Sequence, residues 1–234
     1  MAKNSRVLVI SDLHCPYQHI DSVKFLKAIK EKYNPDRVIN IGDELDFHAM
    51  SFHPTDASLY SAGDELKKGR EVIWQIEELY PKVDVMESNH GSMAYRKALV
   101  GGIPKEMIRP YEHILDTKNW KWHPDLEIKL SDGQPCYFHH GKSANSFLAL
   151  RDMGMNFVQG HFHEKFNIHY HGTGERLKWV IATGCMIDDN SMAFAYNNVN
   201  LKRPIIGCSI ILDGQPHLLP MVLNRKGRWT GRLT

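Results

Sequence analysis

The sequence is poor in cysteine, and the cysteines that it has are dispersed. Among 234 residues there are four, and no two of them form a CxxC pair: Cys15, Cys136, Cys185 and Cys208. Such spacing argues for reduced, mostly buried thiols, and we therefore expect a cytoplasmic protein.

Long apolar runs and a strong net charge are also missing. No run approaches the length of a membrane span, and VLVI, which follows Lys3 and Arg6, is too short for a signal peptide. The net charge of +2 gives no overall electrostatic attraction to nucleic acid or to a membrane surface. We expect no membrane partner, and the sequence leaves the oligomeric state unknown.

Positive charge is concentrated in residues 224–234. This stretch, NRKGRWTGRLT, contains no acid and four basic residues: Arg225, Lys226, Arg228 and Arg232. One interpretation is a solvated, mobile tail. The alternative is a tail that contacts phosphates, with the Trp229 ring available for stacking.

The first half of the chain repeats a strand, a polar loop and a helix. Short β-branched runs predict buried strands at 6–11, 37–41 and 82–86. Apolar residues at helical spacing predict helices over 21–33 and 64–80, and Asp21 or Ser22 could cap the first. This order is typical of a layered α/β domain, which places ligands at the ends of its strands.

The second half of the chain has a different pattern of predicted elements, with more hairpins than the first half. We expect a helix over 103–115 and a shorter one at 145–153. Hairpins are expected at three places, which would make this half mainly antiparallel: around Asp132-Gly133, over 166–182 and over 205–222. We find no linker and predict a single domain over residues 1–234.

Side chains that can bind metal follow five of the apolar runs. The segments are SDLH with Asp12 and His14, GDELD with Asp43 and Asp46, SNH with Asn89 and His90, FHHG with His139 and His140, and QGHFH with His161 and His163. Each segment alone is a weak signal, because a lone DxH or HxH is common in turns. Five in order, each at the end of a predicted strand, indicate one metal site.

The spacing and chemistry of these residues favour two metal ions. In an extended chain, residues two apart point the same way, so Asp12 with His14 can direct two ligands at one point. Carboxylate and amide oxygens mixed with imidazoles suit Mn²⁺, Fe or Zn²⁺ better than Ca²⁺ or a structural zinc. The ligands are too many for one ion, and two ions that share a carboxylate account for them.

The ordered set resembles the signature of the calcineurin-like metallophosphoesterases, which runs DxH, GDxxD, GNH followed by an acid, a lone His, and GHxH. The match extends from residue 12 to residue 163. The resemblance implies an α/β fold of two facing mixed β-sheets flanked by α-helices, a four-layer sandwich. It also implies a hydrolase of phosphoesters with two divalent ions, for which Mn is favoured and Fe, Zn, Ni or Co are alternatives.

The resemblance further implies a role for each ligand. The proposed ligands form two sets that share Asp43 as a bridge: Asp12, His14 and His163 for the first metal, and Asn89, His140 and His161 for the second. His140 is preferred to His139 because the family's lone His often stands directly before Gly. A hydroxide held between the ions would attack phosphorus, and His90 would stabilise or protonate the leaving oxygen.

One departure from the family pattern concerns the substrate. The protein phosphatases of the family have an Arg after GDxxD that contacts phosphate, and here the residue is Phe47. Arg96 or Lys142 could supply this charge, although a solvated helix face or loop explains each equally well. GDELDFH is similar to the nuclease-like branch, so His48 is a candidate substrate contact. His53 is expected to be an ordinary polar position.

A second departure surrounds Asn89-His90. The family's leading Gly is Ser88 here, and its following acid is Gly91. We therefore expect the Asp46 side chain to orient His90, and Gly91 to leave extra room beside the site.

Three functions follow from these observations. The first is a metal-dependent phosphodiesterase, including a nuclease with nucleic acid as its partner, because the phosphatase Arg is missing and a basic tail is present. The second is a phosphomonoesterase acting on nucleotides or phosphoproteins, which would use the same metal core. The third is a non-catalytic scaffold, which predicts lost ligands, and none is lost.

Overall fold

The computed structural model describes residues 3–52, 55–172, 174, 177–188, 191 and 203–233, so His53 lies outside the described residues. Eleven strands and five α-helices are found in these ranges, arranged as two mixed β-sheets with helices against them. Across the described residues, every helix is either too short or too polar to cross a membrane.

The first sheet has six strands in the order β11-β10-β1-β2-β3-β4. Their bounds are β1 Arg6–Ile10, β2 Arg37–Asn40, β3 Asp84–Met86, β4 Lys121–His123, β10 Gly207–Leu212 and β11 Gln215–Pro220. Strands β1 to β4 run parallel, whereas β10 is antiparallel to β1 and β11. The carboxyl ends of β1, β2 and β3 therefore meet at one edge, and the loops that leave them carry four of the predicted ligands: Asp12, His14, Asp43 and Asn89.

The second sheet has five strands in the order β5-β6-β7-β9-β8. Their bounds are β5 Leu126–Lys129, β6 Pro135–His139, β7 Asn156–Gln159, β8 Phe166–Gly172 and β9 Leu177–Thr183. The three predicted hairpins are present as β5–β6, β8–β9 and β10–β11. The second half is mainly antiparallel, as expected, but β7 pairs in parallel with both β6 and β9, which the sequence did not indicate.

Strand β1 shows why the sheets face each other. Its residues alternate between two sides, so Val7 and Val9 pack with Phe138 and Val158 of the second sheet. Leu8 and Ile10 pack on the other side, where the first two helices lie. A strand covered on both faces reads as a continuous apolar run, which explains the sequence RVLVI. The predicted architecture of two facing mixed sheets flanked by helices is confirmed.

The helices agree only in part with the predicted ones. Their bounds are α1 Ser22–Tyr33, α2 Ala62–Leu79, α3 Met93–Val100, α4 Tyr111–Leu115 and α5 Ser146–Met153. A helix over 103–115 was wrong: a 3-10 turn occupies Lys105–Met107 and a separate short helix begins after Pro110. Pro104 and Pro110 lack the N–H that a continuous helix would need.

The basic residues near position 228 form a strap, which we define as residues 223–229. The Asp21 carboxylate accepts hydrogen bonds from Arg228 Nε at 2.7 Å and Nη2 at 2.6 Å, and from the Trp229 main-chain N–H at 3.0 Å. The Trp229 ring meets Phe25 edge to face at 5.4 Å between centroids. The Trp229 ring is therefore packed and not free for stacking, and Arg228 is bound to Asp21, whereas Arg225, Lys226 and Arg232 are exposed, as a solvated segment would be. Asp21 occupies the N-cap position of α1, but its carboxylate holds the strap instead of capping the helix.

Candidate metal centre

Strained backbone concentrates in the loops that leave the parallel strands. Asp12, His14, Asp43 and His161 all have positive φ, between 49° and 67°. Non-glycine residues rarely adopt this conformation, and it persists where the surroundings over-determine it. Here hydrogen bonds between loops do so: the Asp12 N–H donates to the Gly42 carbonyl at 3.0 Å and the His14 N–H to the Asp43 carbonyl at 2.9 Å.

Ser88 ties a third loop to this framework. Its hydroxyl accepts the N–H of Asp43 at 3.0 Å and the N–H of Gly91 at 3.1 Å, so it joins the loops after β2 and β3. The family pattern has Gly here, and the sequence alone gave no reason to assign the hydroxyl a role.

The first ligand group consists of Asp12, His14 and His163. The Nε2 atom of His163 lies 3.1 Å from Asp12 Oδ1 and 3.2 Å from His14 Nε2. Two imidazole nitrogens and a carboxylate oxygen thus converge on one point, as a transition-metal ion requires.

The second group consists of Asp43, His140 and His161, with Asn89 beside it. His140 Nε2 lies 3.1 Å from Asp43 Oδ2, 2.7 Å from Asn89 Oδ1 and 3.2 Å from His161 Nδ1. The structure therefore places His140 in the cluster. The neighbouring His139 accepts a hydrogen bond at Nδ1 from the Gly141 N–H at 3.0 Å and points elsewhere.

Asp43 lies between the two groups. Its Oδ2 atom is 3.7 Å from His14 Nε2 and 3.1 Å from His140 Nε2. All seven residues predicted as ligands are brought together around this carboxylate, which is buried at 1% exposure.

Two of the histidines are fixed with one nitrogen directed at the centre. His14 Nδ1 donates to Asp46 Oδ1 at 2.6 Å, and His140 Nδ1 donates to the Ile41 carbonyl at 2.8 Å. These bonds leave the Nε2 lone pair of each ring for a metal, which is the usual function of partners behind ligating histidines.

The electrostatics of the cluster fit a cation. Burial opposes ionisation of Asp12 and Asp43, but hydrogen bonds and charges from the surrounding histidines hold the pKa of both carboxyls well below their usual range. Burial alone would lower the pKa of His14 and His140, yet the carboxylates raise it to about 10 and about 9. Buried carboxylates that draw protons onto adjacent imidazoles provide the charge that a metal ion would neutralise.

His90 differs from the prediction in its partner. Its Nδ1 donates to the main-chain carbonyl of Asp46, and its main-chain N–H donates to Asp43 Oδ1 at 3.0 Å. We expected the Asp46 carboxylate to orient this ring, and that was wrong because His14 takes the carboxylate. Burial lowers the pKa of His90 despite the nearby charge of Asp43.

The space beside Gly91 is filled, contrary to the prediction. A Cβ added there would lie 2.9 Å from Cε1 of Tyr111. The Tyr111 hydroxyl donates to Glu44 Oε2 at 3.1 Å, and burial raises the pKa of Glu44 to about 8. The sequence gave no signal for this contact, because Tyr111 falls in the segment predicted as a continuous helix.

The three candidate substrate contacts occupy different environments. His48 is buried, and its Nε2 accepts the Asp56 N–H at 3.0 Å, so it belongs to a structural turn. Lys142 Nζ lies 3.4 Å from the Tyr137 hydroxyl. Arg96 alone of the three lies beside a predicted ligand, since its Nη1 donates to the Asn89 carbonyl at 3.5 Å.

A groove of about 1070 Å³ opens from the second ligand group, and we call it the α3–α4 groove. It begins at Asn89, His140 and His161 and continues between α3 and the segment 105–114 as far as Trp122. Arg96 and His139 line it near the cluster, and Lys105 and Arg109 line it further along.

These features define an α/β protein with a buried, metal-compatible cluster at the carboxyl ends of its parallel strands. A family model described as calcineurin-like phosphoesterase matches residues 5–180, and the chain belongs to this family. The suspected resemblance is therefore confirmed.

Solved structures with a similar fold were also found. Vacuolar protein sorting 29 from Cryptosporidium parvum is 13% identical with a TM-score of 0.51, covering 98% of this chain and 94% of that chain. Vps29 from Chaetomium thermophilum is 10% identical with a TM-score of 0.50, covering 98% and 95%. The E. coli phosphoesterase YfcE is 11% identical with a TM-score of 0.47, covering 96% of both chains. At such identities the two Vps29 structures show a shared fold and nothing further. Comparison with curated proteins gave no significant match.

Proposed function

We propose that this chain is a phosphodiesterase that works with two divalent metal ions. The observation that carries the proposal is the position of Asp43, whose Oδ2 faces His14 Nε2 at 3.7 Å and His140 Nε2 at 3.1 Å. A carboxylate that lies between two groups of ligands is suited to bind both metal ions.

The residues that would hold the ions are those of the two groups. Asp12, His14 and His163 would hold one, and Asn89, His140 and His161 the other, with Asp43 shared. When bound, two such ions supply charge neutralisation at the phosphoryl oxygens and lower the pKa of water. The mixture of oxygen and imidazole ligands favours Mn²⁺ in this proposal.

His90 is the proposed proton donor to the leaving oxygen. Its Nδ1 hydrogen bond to the Asp46 carbonyl fixes the ring and leaves Nε2 for the substrate. Burial lowers the pKa of His90, so the ring is mainly neutral near pH 7, and the donor would be its less populated protonated form, which is a stronger acid than free histidine.

A diester is favoured over a monoester by two observations at the substrate side. Phe47, which stands where phosphatases of the family have Arg, is buried and packs its ring 5.9 Å from Tyr111. The α3–α4 groove provides space for a second ester group. Arg96 beside Asn89 is the observation that favours the alternative, a phosphomonoesterase, because it could bind the additional charge of a monoester. A non-catalytic scaffold is disfavoured, because all seven residues predicted as ligands are present and clustered.

A cytoplasmic location also belongs to this proposal. All four cysteines are buried and none forms a disulfide, as expected in a reducing compartment: Cys15, Cys136, Cys185 and Cys208.

The test is hydrolysis of two chromogenic esters by the Mn²⁺-supplemented protein. We expect turnover of bis-p-nitrophenyl phosphate that exceeds turnover of p-nitrophenyl phosphate, and cleavage of single-stranded or double-stranded DNA would add the nuclease activity. Asp43→Asn should lose bound metal and activity together. Cleavage of the monoester alone would replace the diesterase with the monoesterase, and a fully active Asp43→Asn variant with two metals would refute the shared ligand.

A further inference from the structure

We propose that the α3–α4 groove binds a nucleotide unit attached to the scissile phosphate, and that Lys105 and Arg109 bind the next phosphate along. This inference rests on the proposed phosphodiesterase function and assigns the substrate class of the same site. The groove shares Asn89, His140 and His161 with the cluster, so a group held in it is joined to the point where the ligands converge.

The groove is much larger than a simple phosphate requires. Its volume of about 1070 Å³ slightly exceeds the range for pockets that enclose drug-sized ligands, roughly 300–1000 Å³. A nucleotide with one further phosphate fits such a space, whereas a small alkyl or aryl ester would leave most of it empty.

The walls combine aromatic and apolar side chains with separate cations. Tyr111 meets Trp122 edge to face, with 6.5 Å between centroids, and Ile108 and Ile114 extend the apolar wall. Aromatic and apolar faces accept a nucleobase with little sequence preference. The cationic side chains that line the groove elsewhere, Lys105 and Arg109, are suited to bind phosphate groups.

None of the three cations forms an ion pair with the described residues, and only Arg96 is hydrogen-bonded beside the cluster. Arg96 is anchored beside the cluster, with its guanidinium 4.9 Å from the Phe52 ring centroid. Lys105 Nζ lies 5.5 Å from the Tyr95 ring centroid, and Arg109 is exposed and forms no ion pair with the described residues. Lys105 and Arg109 are therefore available for an anion further along the groove.

His139 supplies a neutral donor near the cluster. Because its Nδ1 accepts the Gly141 N–H, the proton of the neutral ring is on Nε2, which has no hydrogen-bond partner among the described residues. An N–H without a partner on the wall of the groove suits an oxygen or ring nitrogen of the nucleotide.

The acidic side chains limit the length of the occupant. Glu87, Glu106 and Glu112 also line the groove, so its carboxylates equal its three cations, Arg96, Lys105 and Arg109, in number. With equal numbers of carboxylates and cations, the groove offers a long polyanion little net electrostatic attraction. One or two phosphates placed at specific cations would still be attracted. We therefore assign a dinucleotide or the end of a single strand.

The experiment compares two diesters that share one leaving group. Thymidine 5′-(p-nitrophenyl phosphate) and its 3′-phosphorylated form differ only in the second phosphate. We expect the 3′-phosphate to lower KM on the order of tenfold for the unmodified protein. In Lys105→Ala/Arg109→Ala this advantage should disappear, with little change for the ester that lacks the 3′-phosphate.

The controls separate this inference from the proposed function. Lys118→Ala removes an exposed lysine outside the groove and should keep the advantage. An unmodified protein that gains nothing from the 3′-phosphate, or a double variant that keeps the gain, would overturn the inference while the diesterase stands. Failure to hydrolyse both thymidine esters and bis-p-nitrophenyl phosphate would remove the proposed function itself.

Discussion

At the scale of single residues, Asp46 joins two histidines of the site in different ways. Its carboxylate accepts the His14 Nδ1–H at 2.6 Å, and its main-chain carbonyl accepts the Nδ1–H of His90. The side chain therefore positions a predicted metal ligand, whereas the backbone positions the predicted proton donor. A substitution of the Asp46 side chain should therefore affect the orientation of His14 but not that of His90.

Asp46→Asn tests this division. The amide keeps the shape but weakens the bond that orients His14, so we expect metal affinity to fall about 10- to 100-fold, as for other partners behind ligating histidines. At saturating metal, kcat should stay within a few-fold, because the carbonyl that holds His90 is unchanged. Calorimetric titration with Mn²⁺ measures the first quantity, and Glu31→Gln, an exposed acid on α1, is the control. Unchanged affinity with a large loss of kcat would show that the side chain acts through His90.

The sequence was sufficient to predict which residues cluster, because chemically distinctive side chains follow each strand. It could not show whether the carboxylate or the carbonyl of Asp46 would face His90, since that depends on the turn at Phe47, where φ is 54°. Nor could it show that Tyr111 fills the space at Gly91, because that contact joins segments far apart in sequence.

At the scale of elements, helix α2 supports the loops of the site. Gly69 lies where a Cβ would come within 2.4 Å of Leu45 Cδ2 and 3.1 Å of the Cys15 carbonyl oxygen. The absence of a side chain lets the helix approach the two loops that carry His14 and Asp43.

Two glycines of α2 form a matched pair for testing this support. Gly69→Ala should destabilise the fold by roughly 1–3 kcal/mol, because the added methyl forces Leu45 and the Cys15 backbone to shift. Gly63→Ala meets nothing within 4 Å and should be neutral or stabilising, by up to about 1 kcal/mol. Urea denaturation of both variants measures the difference. Equal stabilities would mean that α2 can move away at no cost.

The prediction of helices failed for the segments whose conformation is determined by tertiary packing rather than by a periodic apolar pattern. Helices α1 and α2 have long apolar stripes and were found near their predicted positions. Helix α3 has only one buried residue, Met93, and the next segment is divided by two prolines, so its course depends on contacts such as Tyr111 with Glu44. The groove between these elements was therefore not foreseeable.

At the scale of the whole molecule, the cluster couples protonation to stability. The pKa values of His14 and His140 are raised to about 10 and about 9, above the usual 6.5. In the metal-free protein their stabilisation is thus fully present below pH 6.5 and is lost as the pH rises towards 9 and 10.

We expect the metal-free protein to lose stability between pH 6.5 and 9, by up to about 1.4 kcal/mol per pH unit for each of the two histidines. Metal affinity should rise over the same interval, because fewer protons compete for the ring nitrogens. Urea denaturation of chelator-treated protein measures the first effect, and His14→Gln/His140→Gln should show a shallower slope. A stability that increases with pH would contradict the raised pKa values.

The strap has a consequence for the order of events during synthesis. Arg228 and Asp21 are separated by 207 positions, and β1 pairs with β10 at a similar distance along the chain. The loop before Asp21, which carries His14, therefore emerges from the ribosome long before the residues that secure it. Metal loading is expected to follow translation of the strap, so a stalled or shortened nascent chain would expose its first ligands without a finished site to receive an ion.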